Sequence, residues 1–94
     1  MKSSFLDYVL EEVLRDVPSV TSRAMFGGFS LYKNGKIFGM IANDILYFKA
    51  PVSNRPFTYH KNGKTYAMKY WEVPEEIMSN PDEVAIWVNK SLSI

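Results

Sequence analysis

Three short dipeptides, Asn34-Gly35, Asn43-Asp44 and Asn62-Gly63, each separate two apolar, β-prone runs, and no other feature of the chain restricts its fold so tightly. A two-residue type I′ turn needs positive φ at both central positions, which Asn, Asp and Gly tolerate, so each dipeptide marks a hairpin. The stretch from Arg23 to Lys49 therefore predicts a three-stranded antiparallel meander, with strands over Arg23–Lys33, Lys36–Ala42 and Ile45–Lys49. A second hairpin is expected from Phe57–Lys61 and Lys64–Trp71 around Asn62-Gly63. The expected sheet has five antiparallel strands.

Within the first strand, Gly27-Gly28 predicts a bulge, a sharp bend or a close approach by another backbone. A phosphate-binding loop is excluded there, because the pair is followed by Phe29-Ser30-Leu31-Tyr32 rather than by Lys-Ser/Thr and a helix start. The second strand has apolar or small residues on both faces, which makes it central. In the last strand Tyr66, Met68 and Tyr70 share one face and Thr65, Ala67, Lys69 and Trp71 the other, predicting one buried and one partly wet side. Ala50–Pro56, with two prolines, reads as an exposed connection.

Helices are expected at both ends. Phe5, Leu6, Val9, Leu10, Val13, Leu14 and Val17 recur at the spacing of one helical face, giving a helix over about Ser4–Asp16 that Val17-Pro18 closes. Val73-Pro74-Glu75-Glu76 starts a short helical turn. Asn80-Pro81-Asp82-Glu83 reads as N-cap, proline at the first helical position and capping-box acid, opening a helix over about Pro81–Ser91. The fold class is α+β: a meander plus a hairpin, with an N-terminal and a C-terminal helix packed on the sheet. Its 94 residues make a single domain, residues 1–94.

Composition then limits the chemistry. The chain has no cysteine, which rules out disulfides, thiolate metal sites and a cysteine nucleophile. His60 is the only histidine, too few ligands for a metal centre. Glu11-Glu12 and Glu75-Glu76 are adjacent on their helices and diverge, so neither pair makes a two-carboxylate site. Neither a nucleophile elbow nor a dinucleotide fingerprint is present, and no cofactor is expected. Acids at Asp7, Glu11 and Glu12 interrupt the first helix, so no secretory or membrane-spanning run is read there, and a cytoplasmic setting is expected. The formal charge of +1 hides an uneven distribution. Residues 1–20 sum to −2, residues 21–70 to +7 and residues 71–94 to −4.

The ordered landmarks Val20, Arg23, Met25, Phe26, Gly27, Gly28, Phe38-Gly39, Leu46-Tyr47-Phe48-Lys49, Phe57-x-Tyr59, Met68-x-Tyr70 and Val73-Pro74-Glu75 resemble the N-terminal domain of the TfoX/Sxy family of bacterial competence regulators. The resemblance runs from about residue 5 to residue 92. It implies an α+β domain with helices packed on an antiparallel sheet. Family members that regulate competence carry a second, C-terminal domain, for which the chain to Ile94 has no room, and Pro51–Pro56 is shorter than the family's usual connection there.

Two functional expectations follow. The first is a non-enzymatic regulatory module that binds a protein, a second copy of itself included. Its candidate surface and family-motif residues are Arg23, Met25, Phe26, Gly27, Gly28, Lys49, Tyr59, Tyr70 and Trp71. The alternative is a nucleic-acid-binding domain that uses Lys33, Lys36, Lys61, Lys64 and Lys69, with Lys49, provided that these lysines share one surface.

Overall fold

The computed structural model describes residues 4–25 and 27–94. The chain opens with α1, Ser4–Tyr8, which runs straight into a π-helical turn over Val9–Val13. The Leu14 amide donates to the Val9 carbonyl at 2.8 Å, the five-residue step of a π-turn. A continuous α-helix to Asp16 was expected. The wider turn instead lets Val9, Val13, Leu14 and Val17 all bury against the sheet.

Six antiparallel strands follow: β1 Val20–Met25, β2 Gly28–Lys33, β3 Lys36–Ala42, β4 Ile45–Phe48, β5 Pro56–Lys61 and β6 Lys64–Glu72. Their spatial order is β1-β2-β3-β4-β6-β5. The five-strand expectation is corrected at Gly27-Gly28. The chain reverses there, Met25 pairs with Gly28, and the single strand foreseen over Arg23–Lys33 becomes the β1–β2 hairpin. Gly27 has φ of 71°, the left-handed region that a tight reversal requires. The three asparagine-led turns fall where the sequence puts them, with positive φ at both residues of Asn34-Gly35, Asn43-Asp44 and Asn62-Gly63.

The short helix α2, Glu75–Met78, and α3, Pro81–Leu92, complete the chain. The Asn80 side chain caps α3 by accepting from the Glu83 amide, and Pro81 occupies its first turn, as the sequence indicates. The main core lies between the helices and one face of the sheet. It joins Val9, Val13 and Leu14 to Leu31, Phe38, Ile41, Leu46 and Phe48, and then to Val84 and Val88 of α3. Ala50, expected on an exposed connection, is instead buried, and its amide donates to the hydroxyl of the equally buried Ser91 at 3.0 Å. That bond ties the end of β4 to α3.

The opposite face of the sheet has a smaller core of Met40, Ala42 and Tyr47, flanked by Ile45, Phe57 and Tyr70. β3 is thus covered on both faces, as its two-sided apolar pattern predicts.

Candidate interaction surface: an aromatic arm and an open edge

β6 joins the sheet through two residue pairs only, Tyr47 with Glu72 and Phe48 with Trp71. The rest of the β5–β6 hairpin therefore extends past the end of β4 as a two-stranded arm. Its base is pinned: the Ser53 hydroxyl donates to the Glu72 carbonyl at 2.7 Å, the Glu72 amide donates to the Arg55 carbonyl at 2.9 Å, and the Arg55 guanidinium lies 3.5 Å from the Glu72 carboxylate. The expectation of one buried side fails beyond this base. Paired only with β5 and, among the described residues, with no second layer over it, β6 is exposed from Lys64 to Lys69 on both faces.

An aromatic row runs along one side of this arm. Tyr47, in the smaller core, meets Phe57 edge to face with centroids 5.2 Å apart. Tyr59 lies two residues further along β5, just past a register irregularity between Pro56 and Thr58, and a two-residue step along a strand returns to the same side. Tyr59 stacks on its cross-strand partner Tyr66, with centroids 5.5 Å apart and planes 24° apart. Exposure rises along the row, from 8% at Tyr47 to 40% at Tyr59 and 41% at Tyr66. Burial, and then the nearby Glu72 carboxylate, hold the Tyr47 phenol above its ordinary pKa. Burial, with a smaller contribution from Tyr32, does the same at Tyr70.

The candidate residues fall into separate groups. Arg23 and Met25 lie exposed on β1, and the Met25 sulfur accepts from the Ser30 hydroxyl at 3.0 Å. Phe26 lies outside the described residues. Gly27 makes the reversal, while an added Cβ at Gly28 would run into the Ile41 carbonyl oxygen, so β2 and β3 approach closely there. Lys49 reaches the Ile94 carbonyl at 3.4 Å. Tyr70 and Trp71 are half-buried at the arm's base, and Tyr59 alone of the three expected rim aromatics is exposed. His60 shares a 2.9 Å hydrogen bond with Thr65.

The lysines do not form one surface. Lys33 lines a shallow hollow on the helix side with Asp16, Pro18 and Asn89, and Lys36 is its partner across the turn. Lys69 lies further back along β6, where the β5–β6 register is irregular between Ala67 and Trp71. Lys61 and Lys64 pair with each other on the Tyr59–Tyr66 side of the arm.

Tyr66 and Met68 were missed as surface candidates, although a signal was available. Once Asn62-Gly63 is the turn, the register Lys61↔Lys64 and Tyr59↔Tyr66 follows by counting.

β1 is the other open feature. It pairs with β2 on one side and, among the described residues, has no strand on the other. The Asn34 amide donates to the Ser19 carbonyl, so alternation turns the odd-numbered backbone groups of β1 towards β2. Those of Ser22 and Ala24 face outwards.

Among the described residues, no three His, Cys, Asp or Glu side chains gather where they could hold a metal ion, and no helix is long and apolar enough to cross a membrane.

Comparison with known proteins agrees with the fold. Protein Sxy of Escherichia coli (strain K12) is 26% identical over 82 residues, covering 78% of this chain and 39% of Sxy, so the chain spans about two fifths of that relative. The TfoX N-terminal domain family matches residues 12–94, which take in all six strands, α2 and α3, and the chain therefore belongs to the TfoX N-terminal domain family.

Proposed function

We propose that this chain is a non-enzymatic regulatory module of the competence-regulator type that acts in the cytoplasm by binding a protein, which adds a strand to β1. The observation that carries the reading is the condition of that edge. Sheet edges are normally blunted by proline, by inward charges or by a covering segment. β1 is six residues of Val-Thr-Ser-Arg-Ala-Met, with one charge and no proline. β5, the opposite edge, starts at Pro56 behind Arg55 and ends in His60-Lys61, as a guarded edge does. An open edge offers main-chain hydrogen bonds for affinity, and the flanking Arg23 and Met25 side chains supply selectivity. A second copy of the chain is one partner that could meet this edge.

The test combines capture from the native cytoplasm with light scattering, for the wild type and for Ala24→Pro. The substitution removes an outward amide and no β1–β2 hydrogen bond, so the fold survives while capture or self-association is lost. A strictly monomeric wild type that captures nothing, or full capture by Ala24→Pro, would sink the proposal.

A further inference from the structure

The arm combines two features that the strand-addition reading leaves unused. From Arg55 to Trp71 the chain has Arg55, Lys61, Lys64 and Lys69 and no acidic residue. Arg55 is occupied by Glu72 at the base, and Lys69 lies back from the tip, between Ala67 and Trp71. Lys61 and Lys64 remain at the tip as a cross-strand pair. Residues two apart in a strand share a face, so both lysines stand beside Tyr59 and Tyr66. The side therefore presents, in order from the body of the domain, Phe57 on Tyr47, the stacked tyrosine pair, and two cations.

The rings at the outer end stack on each other and are exposed. Among the described residues the arm has no second layer, and each of the two tyrosines keeps about two fifths of its surface in water. A flat aromatic surface with adjacent positive charge complements a ligand that has flat rings and a negative backbone. A double helix hides the faces of its bases, and an acidic peptide would use the lysines but leave the rings without stacking partners. We propose that this face of the arm binds single-stranded nucleic acid, with bases stacking on Tyr59 and Tyr66 and phosphates held by Lys61 and Lys64. Recognition of this kind depends on stacking and charge and is tolerant of sequence. It is independent of the β1 edge, which lies at the other side of the sheet.

Fluorescence anisotropy with labelled oligo-dT and oligo-rU at low salt tests this directly. Two phosphate contacts predict a log–log salt slope of about −1.4. Tyr59→Ala and Tyr66→Ala each weaken binding by about fivefold or more, since a base stacked on an aromatic side chain contributes at least that much. Tyr59→Phe keeps the ring and keeps the affinity. Lys61→Gln with Lys64→Gln brings the slope close to zero. Far-UV circular dichroism confirms the fold of each variant, and the phenylalanine and glutamine variants decide the matter even if an alanine variant unfolds. Binding of either oligonucleotide with these dependences supports the proposal. It is overturned if neither binds, if a duplex of equal length binds as tightly, or if polyglutamate competes equally well and the tyrosine variants are silent. The last result would assign the arm to an acidic protein.

Discussion

The two adjacent glycines serve different physical ends, and substituting each in turn separates them. At Gly27 an added methyl meets no atom within 4 Å among the described residues beyond its chain neighbours, so the cost of Gly27→Ala comes from φ of 71°. A side chain in the left-handed region costs about 1–2 kcal/mol. Gly28 has no such strain. Its added Cβ would run into the carbonyl oxygen and carbon of Ile41, which are backbone atoms near the end of β3. Relief requires β2 and β3 to part where Gly28 pairs with Ala42 and Phe29 with Ile41, next to buried Leu31 and Ile41. Overpacking of a rigid site costs about 1–3 kcal/mol and sometimes more, and a backbone obstacle puts Gly28→Ala at about 3 kcal/mol or above. A domain of this size loses about 4–8 °C of melting temperature per kcal/mol, so thermal and urea unfolding followed by circular dichroism resolve the two variants. Gly27→Asn is the control, because asparagine tolerates positive φ and should cost less than alanine there. If Gly28→Ala is no more damaging than Gly27→Ala, or if asparagine gives no relief at position 27, the assignment of turn to one glycine and close approach to the other is wrong.

Two further outcomes are expected. Ser91→Ala removes the acceptor of the buried Ala50 amide, and an orphaned buried donor costs about 1–3 kcal/mol. A urea midpoint unchanged by this substitution would show that the β4–α3 tie carries no stability. The raised pKa values of Tyr47 and Tyr70 stabilise the fold below the ordinary tyrosine value of 10.0, and this contribution is lost as pH rises from there through the folded-state values, because the unfolded phenols ionise first. Replacing both residues by phenylalanine should flatten the decline of stability above that pH. An alkaline unfolding profile identical to that of the wild type would refute the assignment.

How much of the fold could be read from the residues depended on how local its causes were. Asn34-Gly35, Asn43-Asp44 and Asn62-Gly63 fix their hairpins because positive φ at two successive positions is a demand on those residues alone. The same holds for Asn80-Pro81 and the start of α3. Gly27-Gly28 was ambiguous, since a glycine pair suits a bulge as well as a reversal, and only the pairing of Val20–Met25 with Gly28–Lys33 selects the reversal and yields the sixth strand. The π-turn after Tyr8 answers to the sheet beneath it, which rewards burial of Val13 and Leu14 together.

The interaction surface divides along the same line. Sequence by itself determined that Tyr59 faces Tyr66 and Lys61 faces Lys64, because a turn type sets the register on either side of it. It also determined that β3 is central. Whether a strand's apolar face ends up in a core or in water depends on what lies beside and above it, which no local pattern encodes. Tertiary structure alone decided that β6 would hold to β4 by two residue pairs and leave its aromatic face in solvent, and that β1 would stand at an unguarded edge.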